Sequence, residues 1–263
     1  MIGHVSTVAI AGIIFSMVVS IGLPILLFVL VKTKLHAKMS AVGIGAATFV
    51  LFALILEQIL HSIMLNSFED MLTGNIWFYA IYAGLAAGVF EETGRFVAMK
   101  YWMKKSLSRE NSIMYGVGHG GVEAVLIVGI TCISNLITAI MINSGQIESA
   151  YSTIEDGAGK ELAIQSLSVL WTTPGYQFFL AGIERITAIV LHICLSYLVY
   201  RAVKWGEKKF YIIAIGIHFL IDAATVLLTN FVPLVALEIV LLVSVGVLAV
   251  AVKKMYCNSS AME

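Results

Sequence analysis

The chain has 263 residues, of which 60% are hydrophobic and only 12% are charged. A soluble domain carries about 25% charged residues, so this composition excludes an ordinary water-soluble fold and indicates an integral membrane protein. The formal net charge is zero, which gives no support for a nucleic-acid partner.

Long apolar runs follow one another along the chain. A helix that crosses a bilayer needs about 20 mostly apolar residues. Runs of that kind occupy residues 5–31, 39–65, 76–102, 112–142, 175–201, 209–229 and 233–252. They are too long and too uniformly apolar for the alternating strands of a membrane barrel. We therefore predict an all-α, polytopic membrane protein with about seven transmembrane helices, in which residues 1–263 form a single integral membrane domain.

The connections between these spans alternate in charge. Basic residues follow the first, third, fifth and seventh spans: Lys32, Lys34, Lys38, Lys104, Lys105, Arg109, Arg201, Lys204, Lys208, Lys209, Lys253 and Lys254. Acidic residues dominate the other connections: Glu69, Asp70, Glu148, Glu155, Asp156 and Glu161. The positive-inside rule then predicts an N-terminus outside and a C-terminus in the cytoplasm. The connection at about 144–174 is predicted to be extracytoplasmic.

Several ionisable residues interrupt the apolar spans. Such residues cost several kcal/mol to insert and are functional candidates by default. Counted from the nearest basic flank, four of them lie about 12–15 Å from the cytoplasmic edge, each on a different helix: Glu92, His119, His192 and His218. Glu91 is the neighbour of Glu92, while Glu123 and Asp222 each follow a histidine by four residues and share its helix face.

A layer of imidazoles and carboxylates is the donor set that zinc prefers. A catalytic zinc uses three protein ligands and keeps one position for water, and a nearby glutamate can take the proton of that water. Simpler interpretations exist for single members of the layer. One of the two glutamates could neutralise Arg95, His119–Glu123 and His218–Asp222 could be local pairs, and His192 could be a satisfied interior histidine. Four residues nearer the outer face are interpreted as a separate ion-pair network: Glu57, His61, Glu184 and Arg185.

The order of these motifs resembles that of a known superfamily. EExxR at Glu91–Arg95, a tyrosine four residues before His119, and HxxxD at His218–Asp222 resemble the glutamate-type intramembrane metalloproteases, which include the type II CAAX protease-like (CPBP) and PrsW families. The segments EETGR, GHGGVE, ER…H and HFLID are most similar to the YhfC family of predicted intramembrane metalloproteases. The interval from Glu91 to Arg95 is one residue shorter than is usual in CPBP proteins, which argues against prenyl-CAAX chemistry.

The resemblance implies an all-α core with a cavity open to the cytoplasm and a bacterial plasma membrane as its location. It also implies that Glu91 or Glu92 activates water and that His119 and His218 hold that water or bind a metal. Asp222 takes a polar position of the family motif. His192 and Glu123 lie outside the minimal motif and are expected as extra ligands or as partners of ligands.

The resulting hypothesis is a zinc-dependent intramembrane endopeptidase that cleaves a membrane-embedded or membrane-proximal peptide bond. Its catalytic residues are Glu91 and Glu92, and its candidate metal ligands are His119, His192, His218, Asp222 and Glu123. The alternative is a transporter coupled to protons or cations that uses the same layer. A haem carrier with axial histidines would leave the paired glutamates unexplained. No other cofactor, and no nucleic acid, is expected.

Overall fold

The computed structural model describes residues 3–152 and 157–259, and these residues form helices without any strand. The helices, in chain order, are α1 (Thr7–Lys34), α2 (Met39–Gly74), α3 (Ile76–Val97), α4 (Arg109–Asn143), α5 (Gln146–Ser152), α6 (Ala158–Thr172), α7 (Gly175–Lys204), α8 (Lys209–Leu228) and α9 (Leu234–Ser259). The predicted all-α class is confirmed.

Within the described residues, 6 helices are long and apolar enough to cross a membrane: α1, α2, α4, α7, α8 and α9. Helix α3 has the length to do so, with 22 residues, but Glu91, Glu92 and Arg95 lower its hydropathy. The chain is therefore a multi-pass membrane protein. The count of seven spans and the orientation of the termini stay predictions.

The connection at 144–174 contains two helices, α5 and α6. Its placement outside the cytoplasm stays a prediction, and Glu155 and Asp156, which contribute to its acidic character, lie outside the described residues.

The chain divides into two compact units. The first comprises Met1–Gly22 and Ala124–Ile186. Its core is a cluster of buried apolar side chains: Val5, Ala9, Ile13, Cys132, Ala139, Ile142 and Leu170. In the same unit Asn143 holds the backbone of Val5 from both sides, since its Oδ1 accepts from the Val5 N–H and its Nδ2 donates to the Val5 carbonyl, each at 2.9 Å.

The second unit comprises Leu23–Glu123 and Thr187–Glu263. Its core is rich in methionine, tyrosine and leucine, and its largest fully buried apolar side chains are Met99, Met103, Met114, Tyr115, Leu195, Tyr197, Leu198 and Tyr200. All the predicted site residues belong to this unit. The prediction that residues 1–263 act as one membrane domain is not tested by this division.

Glycines let the helices of the second unit approach closely. A Cβ on Gly84 of α3 would lie 2.6 Å from the carbonyl oxygen of Phe219 on α8. A Cβ on Gly116 of α4 would lie 2.6 Å from the Cα of Ile193 on α7. Both distances are too short for a real side chain, so only glycine permits these contacts, as is common between membrane helices. The close packing brings the polar faces of α3, α4, α7 and α8 together.

π-Helical turns adjoin the polar residues of this unit. One covers Val50–Glu57 inside α2 and ends at Glu57, and another begins at Ala124 inside α4, directly after Glu123. Such turns are rare and frequently mark functional sites, because they shift the side chains that follow them around the helix axis.

Candidate metal centre in the membrane

Four helices of the second unit place histidines and glutamates beside one another. Helix α3 supplies Glu91 and Glu92, α4 supplies His119, α7 supplies His192 and α8 supplies His218. Each of these residues is at most 7% exposed. The ring centroids are 4.9 Å apart for His119 and His192 and 5.5 Å apart for His192 and His218. The structure thus brings together the layer that residue counting places at one depth.

Glu91 and His119 are in direct contact within this layer. Oε2 of Glu91 lies 2.8 Å from Nε2 of His119 and 3.9 Å from Nδ1 of His192. The other ring nitrogen of His119, Nδ1, is buried and makes no hydrogen bond within the described part of the chain. The three residues each offer one ligand atom, and these atoms all lie within 4.8 Å of one another.

Glu92 is engaged through both of its carboxylate oxygens. Oε2 faces Nε of Arg95 at 3.2 Å, and Oε1 lies 2.9 Å from Nδ1 of His218. The glutamate that neutralises Arg95 is therefore Glu92, three residues away, and not Glu91. On its other side His218 reaches Asp222, with 3.5 Å between Nε2 and Oδ2. This is the local pair that the HxxxD spacing predicts.

Arg95 connects α3 to α7. It is fully buried, and its Nη1 donates to the carbonyl oxygen of His192 at 2.7 Å and to Oγ of Ser196 at 2.8 Å. Its Nη2 lies 3.1 Å from Nδ1 of the same histidine ring. Nε2 of that ring lies 2.5 Å from Oε2 of Glu123 on α4. His192 thus touches Arg95 on one side and Glu123 on the other, and Glu123 contacts His192 where the sequence suggested His119.

The chemistry of this cluster fits a metal ion. Imidazole nitrogens and carboxylate oxygens converge in a buried place, and this is the ligand set that zinc takes. Four carboxylates, those of Glu91, Glu92, Glu123 and Asp222, contact the histidines of the layer. Glu92 also pairs with Arg95, and one guanidinium cannot neutralise four carboxylates. Buried charge of this kind requires protons or a cation, and a divalent metal supplies two positive charges at once.

The residues nearer the predicted outer face form separate contacts in the two units. In the second unit Nε2 of His61 lies 3.3 Å from Oε1 of Glu57, and its Nδ1 lies 2.5 Å from the hydroxyl of Tyr82. In the first unit Arg185 pairs with its neighbour Glu184. The sequence indicated the ionisable members but not Tyr82, which lies in an apolar stretch of α3.

Among the buried polar residues that the sequence analysis does not name, Ser196 and Glu238 could have been found from it. Ser196 is fully buried and holds Arg95. It follows His192 by four residues, so the same four-residue spacing that drew attention to Glu123 after His119 could have found it. Glu238 of α9 is 7% exposed within an apolar span, and the rule that ionisable residues inside spans are functional candidates would have included it.

The fold and the buried layer together define a multi-pass membrane protein with a cluster suited to a metal. The sequence profile of the YhfC intramembrane metalloprotease family matches residues 19–254, which includes every residue of the layer. The chain belongs to this family, as the motif resemblance predicted. It is 38% identical over 226 residues to the uncharacterized membrane protein YhfC of Bacillus subtilis (strain 168), a match that covers 85% of this chain and 86% of that protein. No solved structure matches the chain.

Proposed function

We propose that this protein is a zinc-dependent intramembrane endopeptidase of a bacterial plasma membrane, and that it hydrolyses a membrane-embedded or membrane-proximal peptide bond. The observation that carries the proposal is the buried contact between Glu91 and His119, at 2.8 Å, within a layer of further histidines and carboxylates. The family to which the chain belongs supports a metal and a peptidase, and it does not favour the alternative of a transporter.

Glu91 is the better general base of the two adjacent glutamates. Both oxygens of Glu92 already face cationic or N–H partners, since Oε2 forms an ion pair with Arg95 and Oε1 contacts His218, so its negative charge is already balanced within the protein. Glu91 lies instead against His119. A base must reach the proton that it abstracts, and a water molecule beside His119 would be within reach of Glu91.

A zinc ion would be held by His119 and His218 with one further donor, which is Asp222, Glu123 or His192. A zinc ion held there would supply Lewis acidity to the reaction. His218 is prepared for such a role because its Nδ1 lies 2.9 Å from the Glu92 carboxylate. A histidine that binds a metal commonly donates its other N–H to a carboxylate, which fixes its tautomer and its orientation.

Glu91 accepts and returns the one proton that the reaction transfers. Glu91 takes a proton from water as the water oxygen bonds to the carbonyl carbon of the substrate. The same proton then passes from Glu91 to the amide nitrogen as the C–N bond breaks. The products are a carboxylic acid and an amine, and the glutamate returns to its first state.

Metal content and cleavage test this proposal in sequence. Elemental mass spectrometry of detergent-purified protein is expected to show close to one zinc per chain, which His119→Gln and His218→Gln both lose. The zinc-loaded protein, reconstituted with a library of apolar peptides in vesicles, is expected to yield fragments that Glu91→Gln does not produce. A folded wild-type protein that holds no transition metal would refute the metalloenzyme.

A further inference from the structure

Distance alone places His192 among the candidate ligands, together with Glu91 and His119. The hydrogen bonds around its ring assign it a different task. We propose that His192 is a positioning residue of the metal centre and does not bind the metal; this inference rests on the proposed function. Its role is to join Arg95 to Glu123 and thereby to hold α3, α4 and α7 in register around the site.

The first step concerns the nitrogen Nδ1. It lies 3.1 Å from Nη2 of Arg95, and a guanidinium group has only N–H donors and cannot accept a hydrogen bond. Nδ1 of His192 must therefore be the acceptor. Arg95 cannot move away easily, because its Nη1 donates to the backbone carbonyl of the same histidine at 2.7 Å and to Ser196 at 2.8 Å.

The second step concerns Nε2. A neutral imidazole carries one N–H, and since Nδ1 accepts from Arg95, that hydrogen must be on Nε2. This nitrogen lies 2.5 Å from the carboxylate oxygen of Glu123, where an N–H meets an acceptor. A nitrogen that carries a hydrogen has no lone pair for a metal. If Nε2 bound a metal, the hydrogen of the neutral ring would have to be on Nδ1. Two N–H groups, those of Nδ1 and of Arg95, would then face each other without an acceptor.

The assignment does not depend on a free choice of ring orientation. Rotating the ring by 180° would place carbon atoms where Nδ1 and Nε2 now lie. Arg95 would then face a carbon and Glu123 would lose its N–H partner. The observed orientation gives Arg95 an acceptor and places a nitrogen beside the Glu123 carboxylate, and compatibility with the polar neighbours is the criterion by which such rings are assigned.

His218 shows the contrasting arrangement in the same layer. Its Nδ1 faces a carboxylate, that of Glu92, at 2.9 Å, and Nδ1 therefore donates. In the neutral ring Nε2 then has a lone pair, and it lies 3.5 Å from Oδ2 of Asp222, a second candidate ligand. A carboxylate behind one nitrogen prepares the other nitrogen for a metal, whereas the arginine behind His192 has the opposite effect. The two histidines therefore differ in role although their rings are only 5.5 Å apart.

A pair of substitutions at His192 separates a ligand from a positioning residue. The amide of His192→Gln supplies an acceptor for Arg95 and a donor for Glu123, whereas His192→Leu supplies neither. We expect His192→Gln to bind zinc within about threefold of the wild type, and His192→Leu to bind about 10- to 100-fold more weakly. A chelator competition assay measures these affinities. His119→Gln and His119→Leu are the matched controls and are both expected to lose zinc.

Equal loss of zinc in His192→Gln and His119→Gln would overturn the inference. A second measurement needs neither zinc nor activity. Nitrogen-15 NMR of the metal-free protein, with the His192 signals identified from the His192→Gln variant, is expected to show a hydrogen on Nε2 and none on Nδ1. A hydrogen on Nδ1 would overturn the inference even if the protein holds no zinc, so its failure is distinguishable from that of the proposed function.

Discussion

Replacing Arg95 by leucine should produce the largest loss of stability of any single polar substitution in the layer. The side chain is fully buried and has four partners: the Glu92 carboxylate, the His192 carbonyl and ring, and the Ser196 hydroxyl. Removing one partner of a buried ion pair costs about 3–5 kcal/mol, because the other charge stays buried and uncompensated. The orphaned carbonyl of His192 adds to this cost, so a total of about 5 kcal/mol is expected.

Thermal unfolding in a mild detergent, followed by tryptophan fluorescence, measures the effect. For a chain of roughly this size 1 kcal/mol corresponds to about 2–4 °C in the melting temperature, so Arg95→Leu is expected to melt about 10–20 °C below the wild type. The matched control is Arg109→Leu at the predicted cytoplasmic end of α4, where the side chain is 22% exposed and pairs with its neighbour Glu110. Partly exposed pairs contribute at most about 1 kcal/mol, which corresponds to a few degrees.

A double variant separates the ion pair from the other contacts of Arg95. Arg95→Leu combined with Glu92→Leu removes both charges, and replacing a whole buried pair by apolar side chains is often neutral or stabilising. The double variant should therefore recover more than half of the melting temperature that the single variant loses. A single variant as stable as the wild type, or a double variant that melts lower than the single one, would refute this account of the layer.

Three further outcomes are expected. Glu91→Gln should retain zinc in the elemental analysis while peptide cleavage falls by about 100- to 10,000-fold, as for the loss of a general base; parallel loss of zinc would instead make Glu91 a ligand. Gly84→Leu should prevent the close approach of α3 to α8 and lower the melting temperature by about 5 °C or more, since overpacking costs about 1–3 kcal/mol and each kcal/mol corresponds to about 2–4 °C. Gly216→Leu is the control, because a Cβ there meets nothing within 4 Å, and it should leave the melting temperature unchanged. Asn111→Leu removes a hydrogen bond of 2.7 Å to the amide of Lys38, so hydrogen exchange at that amide should become faster than in the wild type.

The positions of the site residues along the helices could be predicted from the sequence, because depth in a membrane follows from counting residues at a fixed rise. That is why Glu92, His119, His192 and His218 could be assigned to one layer from the sequence. The same counting cannot say which side chains touch. Glu123 lies four residues after His119, which suggests a local pair, yet it contacts His192 on another helix.

The transmembrane character of α3 shows a different limit. Its glutamates and Arg95 make the site chemically useful, and the same residues reduce the apolar signal by which a span is recognised. Glycines show a third limit, since Gly84 and Gly116 are visible in the sequence but their partners Phe219 and Ile193 are distant in it. A single sequence records where two helices can approach closely, and only the fold shows which two do so.

The histidines show why a ligand set needs more than residue types and distances. By residue type and depth alone His192 and His218 are equivalent: each is one imidazole in an apolar span, at the same depth. What separates them is the partner of one nitrogen, a donor in Arg95 for His192 and an acceptor in Glu92 for His218. Arg95 and Glu92 also form an ion pair with each other. The same ion pair therefore stabilises the layer and determines which of the two histidines can bind a metal. A change at Arg95 should therefore alter metal binding as well as stability, although Arg95 itself cannot bind a metal.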